Sequence, residues 1–275
     1  MFDIIKGQDK ICNLINSLTL DTFPRTLMLV GPQGSGKHML AKLISNHLNL
    51  QMLDITEQLD LETIDEIYNR VEPYLYIIEA NKLSVKEENV ILKFLEEPLK
   101  NSYIVLLAET DMGLLQTIIN RCVIWHLQNY NKATLMEFVP NIDNINPYLF
   151  DIATTPGQIQ TLSSIDLNAY VELADKIITK INIASLANTL TLTNKIDFKA
   201  DSAINCEKDK LQVRLFVQIL LSRFSAACKQ NSNIKLIQGY TLTSELNKQL
   251  YVKNLDTKAL FDRYLVQLRN LMRGE

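Results

Sequence analysis

The sequence predicts an α/β fold, a mostly parallel sheet with helices on both faces, followed by an all-helical region. Three observations carry this prediction. Leu27 to Val30 is an apolar run suited to a strand buried on both faces, and Gly31-Pro32-Gln33-Gly34-Ser35-Gly36-Lys37 follows it directly. Further short apolar runs alternate with helical periodicity up to about Gln128. Beyond that point long apolar strands disappear and helical spacing takes over.

The glycine-rich stretch has the spacing of a phosphate-binding loop, with Gly31, Gly36 and Lys37 at the defining positions. Met39, Leu40, Leu43, Ile44 and Leu48 repeat at helical spacing, so a helix begins where the loop ends. In this context backbone N–H groups and a helix N-terminus converge on phosphate, and Lys37 supplies charge. A turn that binds nothing is the bland alternative. The next residue departs from the pattern: His38 stands where a serine or threonine hydroxyl would hold magnesium. Neutral imidazole is a poor ligand for that hard ion, and imidazolium would repel it. The expected site is therefore Gly31, Pro32, Gln33, Gly34, Ser35, Gly36, Lys37 and His38, with Glu79 from a later strand, able to bind ATP without efficient hydrolysis, with magnesium doubtful and no metal ligand assigned.

Taken in order, Ile4, Ile5, Ile11, Leu14, Ile15 and Leu18 suggest an entry segment, a turn at Lys6-Gly7-Gln8 and an amphipathic helix. Phe23-Pro24-Arg25 breaks it ahead of the loop strand. Met52 to Ile55 is a short strand, and Leu61, Ile64, Ile67, Tyr68 and Val71 follow helical spacing. Leu75 to Glu79 is a buried strand ending in an acid, where a nucleotide-hydrolysing site holds its metal water. The alternative is an acid that merely ends a strand at the solvent edge. Ala80 follows, so a carboxylate that would polarise attacking water is missing. Val90 to Pro98 is a helix stopped by proline, Tyr103 to Ala108 a strand, Leu114 to Arg121 a helical turn and Cys122 to Leu127 a final strand.

Farther on, Pro156-Gly157 marks a break, and several helices follow from Leu167. The clearest are Leu211 to Lys229, with Leu211, Leu215, Phe216, Ile219, Leu220 and Phe224 along one side, and Asp256 to Met272. Asp256 is placed to cap the latter, which carries Leu260, Phe261, Tyr264, Leu265, Leu268, Leu271 and Met272 as a wide stripe. The stripe fits either an internal core or a subunit interface.

At 275 residues and 47% hydrophobic, the chain can bury more than one core. A net charge of −3 gives no global basic field, so nucleic-acid contact would be local. Cys12, Cys122, Cys206 and Cys228 are widely spaced, which excludes a local zinc module and suggests reduced thiols in a cytoplasmic protein. The N-terminus lacks the regions of a signal peptide, and no apolar run approaches bilayer-spanning length.

Together the motifs resemble the clamp-loader branch of the AAA+ proteins, most closely the delta prime kind of DNA polymerase III subunit. The carriers are Ile5-Lys6-Gly7-Gln8-Asp9, Gly31 to Lys37, Tyr76-Ile77-Ile78-Glu79, Leu92 to Pro98 with its Leu-Glu-Glu-Pro ending, and Thr117-Ile118-Ile119-Asn120-Arg121-Cys122. The resemblance covers about the first 128 residues. It implies a RecA-like P-loop domain over 1–128, a small helical lid over 129–165 and an oligomerising helical collar over 166–275. It also implies partners: other clamp-loader subunits in a hetero-pentameric ring, the sliding clamp and primed DNA, with no membrane. The family's trans-acting arginine finger corresponds by position to Arg121, with Asn120 in place of its serine. A helix-terminal cation is the plainer alternative for Arg121.

Several departures weaken the motor. Lys37 to Glu79 leaves neither room nor cysteines for the zinc module of many delta prime subunits, so no zinc is expected. Ala108 or Glu109 falls where a small polar sensor belongs, and no arginine lies near Pro156-Gly157. The expectation is a non-hydrolysing clamp-loader subunit presenting Arg121 to a neighbour. An active clamp-loader ATPase of the replication-factor type and a small-molecule kinase are the competing readings.

Overall fold

The computed structural model describes residues 5–96, 102–139, 145–164, 166–191, 206–231, 233–252 and 255–274, without the side chains of 61 and 206–212. Glu97-Pro98 of the motif stretch and the Leu211 side chain of the helical stripe thus lie outside the described residues. The chain divides into two compact units, Met1–Ile142 with Ala153–Thr161, and Asp143–Ile152 with Leu162–Glu275.

The first unit runs α1 (Asp9–Asn16), β1 (Thr26–Val30), α2 (Lys37–His47), β2 (Gln51–Asp54), α3 (Leu61–Tyr68), β3 (Tyr74–Glu79), α4 (Val85–Glu96), β4 (Ser102–Ala108), α5 (Gln116–Ile119), β5 (Val123–His126) and α6 (Lys132–Met136). The strands form one parallel sheet in the order β2-β3-β4-β1-β5, so β1 lies between β4 and β5. Alternation along each strand divides the core into two layers. Leu27 and Leu29 join Leu40, Ile44 and Ile15 on one face, and Met28 and Val30 join Ile91, Phe94 and Ile118 on the other. Every residue of β1 and β4 is buried, which is why these strands read as continuous apolar runs. Local chemistry sets the helix starts. Asp60 accepts from the Thr63 N–H at 2.8 Å to open α3. Ser84 and Glu87 form a reciprocal capping box before α4, at 2.7 and 3.3 Å.

The second unit contains α7 (Leu149–Ile152), α9 (Leu167–Lys180), α10 (Leu186–Leu190), α11 (Cys206–Gln230), α12 (Ile234–Gln249) and α13 (Thr257–Arg273). Phe216, Ile219, Leu220 and Phe224 of α11 are buried, as are Phe261, Tyr264, Leu265 and Leu268 of α13. Most of the α13 stripe is therefore internal core. Asp256 caps α13 by accepting from the N–H groups of Lys258 and Ala259, at 2.9 and 3.1 Å. Arg223 donates two bonds to Asp175, at 2.8 and 3.0 Å, joining α11 to α9. Among the described residues no helix is long and apolar enough to cross a membrane.

Pro156-Gly157 is a correction. The sequence suggests a break there, whereas the structure begins α8 (Pro156–Ser163) at the proline. Proline suits a first helical position because its missing N–H would have had no intrahelical acceptor.

Candidate functional site

The glycine-rich loop fills the connection between β1 and α2 at the carboxyl edge of the sheet. The Gly31 N–H donates to the Ala108 carbonyl at 3.0 Å, anchoring the loop to the end of β4. Gly34 and Gly36 have φ of +75° and +93°, backbone that side-chain-bearing residues rarely adopt. Gly36 is the residue from which α2 starts.

Lys37 turns inward and donates to the carbonyls of Gly31 at 2.6 Å and Pro32 at 3.0 Å. Desolvation lowers its pKa to about 8, only partly countered by the carboxylates of Glu109 and Glu79. The Ser35 hydroxyl is buried without a hydrogen-bond partner, and an oxyanion in the loop would supply one. These features fit an anion such as a phosphate.

Other contacts tie the loop down. Tyr130 donates its hydroxyl to the Ser35 carbonyl at 2.8 Å, and Thr155 donates to the Gln33 carbonyl at 2.7 Å. The Gly157 N–H donates to the Gly34 carbonyl at 3.0 Å, and a Cβ built on Gly157 would lie 2.5 Å from the Gly34 Cα. Tyr130 also lines a polar cavity of about 610 Å³ with Lys6, Gly7, Gln128 and Asn131. Gln8 fixes that region by exchanging two 2.8 Å bonds with the backbone of Gln128.

At the metal position the structure brings His38 and Glu79 together, imidazole Nε2 to carboxylate Oε1 at 3.1 Å. The other oxygen of Glu79 pairs with Lys82 at 3.1 Å. Ala80 is buried, leaving no carboxylate at that position to orient water. Asp54, at the end of the adjacent strand β2, completes a group with His38 and Glu79 whose ligand atoms lie within 4.8 Å of one another.

Arg121 stands apart from this group. It follows α5 and precedes β5, and its carbonyl accepts from the Thr26 hydroxyl at the start of β1. That is the amino edge of the sheet, opposite the edge where the loop leaves Val30. The guanidinium donates to Glu96 at 2.6 Å and to the Thr117 carbonyl at 2.8 Å, with about a third of the side chain exposed.

The sequence reading missed Asp54, Glu96, Tyr130, Thr155 and the loop contact of Gly157. Asp54 alone carried a signal, because it is an acid closing a short strand as Glu79 does. Hydroxyls that donate to loop carbonyls from residues about a hundred positions away have no sequence pattern.

A family model described as DNA polymerase III, delta subunit, matches residues 57–131. The chain is 37% identical over 65 residues to the delta prime subunit of DNA polymerase III of Haemophilus influenzae, covering 24% of this chain and 20% of that protein. It is 29% identical over 176 residues to the gamma subunit of DNA polymerase III of Buchnera aphidicola, covering 51% and 48%. The chain thus spans less than half the length of these curated relatives. A variant of Thermotoga maritima RuvB shares the fold, with TM-score 0.51 and 18% identity over 77% of this chain and 89% of that one. With the parallel sheet and the loop that ends in Lys37, these matches make the chain similar to the delta prime and gamma subunits of DNA polymerase III.

Proposed function

We propose that the chain is a clamp-loader subunit that helps load a sliding clamp on primed DNA, does not itself turn over ATP, and supplies Arg121 to a nucleotide held by a neighbouring subunit. The observation that carries this reading is the placement of Arg121 at the amino edge of the sheet, across from the chain's own loop. An arginine there cannot serve its own phosphates, and its forked, permanently charged donors suit a phosphoryl group on another chain. Glu96 holds the guanidinium in a defined direction until a phosphate competes for it.

Three features support the absence of turnover. Imidazole replaces the magnesium-binding hydroxyl, Glu79 is engaged by His38 and Lys82, and Ala80 occupies the water-polarising position. A collar role for the second unit is supported by α12, where Ile234, Ile237 and Tyr240 are 69%, 50% and 41% exposed at a spacing of three. Such an apolar row on a surface helix suits a partner helix.

The test is a reconstituted complex with its partner subunits. Arg121→Ala should leave assembly intact and slow the DNA-stimulated ATPase of the complex by about 10³-fold, the low end for loss of an arginine finger. Arg121→Lys should restore little, since charge alone does not reproduce the fork. Full ATPase from an assembled Arg121→Ala complex refutes the reading. The partnerless Ser35 hydroxyl favours a second reading, an active clamp-loader ATPase. Magnesium-dependent turnover by the isolated chain, abolished by Lys37→Ala, would establish it.

A further inference from the structure

We propose that His38, Asp54 and Glu79 form a binding site for a divalent transition-metal ion of borderline hardness, with Zn2+ preferred over Mg2+. The sequence alone assigns no metal ligand, because Asp54 lies far from both other residues in the chain. The fold supplies the convergence. His38 is the second residue of α2, Asp54 the last of β2 and Glu79 the last of β3, and β2 and β3 are parallel neighbours in register.

The ligand atoms lie within 4.8 Å of one another, and His38 Nε2 and Glu79 Oε1 are already 3.1 Å apart. Bonds of about 2.0–2.1 Å to a tetrahedral ion place ligand atoms roughly 3.3 Å apart. The His38–Glu79 edge therefore needs almost no adjustment, and Asp54 must close by at most about 1.5 Å. His38 and Asp54 are exposed, so the site opens to solvent and leaves a position for water or another ligand.

A supporting shell is in place. Buried Thr56 donates its hydroxyl to Asp54 Oδ1 at 2.6 Å, and its N–H donates to the same oxygen at 3.0 Å. The Thr56 hydroxyl in turn accepts from the Glu79 N–H at 2.9 Å, linking the ends of the two ligand-bearing strands. Groups that orient ligands in this way are worth about 10–100-fold in metal affinity. Ligand chemistry selects the ion. One imidazole and two carboxylates suit Zn2+ and its neighbours, whereas Mg2+ demands octahedral oxygen and binds imidazole poorly. Lys82, paired with Glu79, opposes any cation there and sets a limit on affinity.

The inference does not depend on the role of Arg121, and its test uses the isolated full-length chain. Reactive thiols are first blocked with N-ethylmaleimide so that accessible cysteines do not compete. Calorimetric titration should then give one Zn2+ per chain, with Mg2+ at least 100-fold weaker. His38→Ala, Asp54→Asn and Glu79→Gln should each weaken Zn2+ at least 10-fold, Thr56→Val should weaken it less, and Lys82→Met should strengthen it. His38→Ser should move the preference toward Mg2+. The His38 side chain is 54% exposed, so its substitution leaves the fold intact even where a Glu79 variant does not fold. Stoichiometric Zn2+ binding unaffected by His38→Ala, or Mg2+ binding as tight as Zn2+, overturns the proposal.

Discussion

Replacing Gly157 with alanine separates local propensity from tertiary packing, because the two predict opposite signs. Within a helix alanine is favoured over glycine by up to about 1 kcal/mol, and Gly157 lies in the first turn of α8, so propensity alone predicts stabilisation. The structure predicts the reverse. The new Cβ would lie 2.5 Å from the Gly34 Cα and 3.2 Å from the Gly34 carbonyl oxygen, all of it backbone that cannot rotate away. Carbon atoms pack at about 3.5–4.0 Å, so loop and helix must separate by roughly an ångström. Overpacking of this kind costs about 1–3 kcal/mol. The shift also weakens the bonds from the Gly157 N–H to the Gly34 carbonyl and from the Thr155 hydroxyl to the Gln33 carbonyl, each worth about 0.5–1.5 kcal/mol. Against the propensity gain, a net loss of about 2 kcal/mol remains. For a unit of this size that lowers Tm by about 4–8 °C. The chain's one tryptophan is Trp125 in β5, packed on the sheet's core, so its fluorescence reports melting of the first unit. A Tm that holds or rises in the Gly157→Ala variant would refute the packing argument.

Lys37 and the thiols of Cys12 and Cys122 carry the remaining predictions. Because the folded protein lowers the Lys37 pKa from 10.5 to about 8, the unfolded chain binds more protons between those values, and this lysine's contribution to stability increases with pH across that window. Tm measured from pH 7.5 to 9.5 should therefore rise in wild type relative to Lys37→Met, and parallel curves would show that the lysine is not desolvated. Burial pushes the Cys122 thiol up to about 12, and burial with the nearby Asp9 charge raises that of Cys12. At pH 8 both should resist iodoacetamide in the folded protein and react after denaturation, read by peptide mass; rapid native labelling of Cys122 would contradict its raised pKa.

The sequence by itself determined the sheet and the loop, because both depend on short-range chemistry. Leu27 to Val30, Leu75 to Ile78 and Tyr103 to Ala108 are apolar without interruption, as strands covered on both faces must be, and Gly34 and Gly36 supply the left-handed backbone that the loop needs. The cap of α13 was legible for the same reason, since Asp256 and the N–H groups that donate to it are two and three residues apart. Only the tertiary structure decided what surrounds the loop. Thr155 and Gly157 return to Gln33 and Gly34 across more than 120 residues, and Tyr130 reaches Ser35 across 95. A hydroxyl donating to a backbone carbonyl has no period and no preferred partner in the chain. The same holds for Arg121 with Glu96, and for Asp54 beside His38 and Glu79. Asp54 and Glu79 meet because the parallel neighbours β2 and β3 place their carboxyl ends side by side, whereas Glu96 and Arg121 meet where the end of α4 packs near the start of β5, and both depend on packing between distant segments.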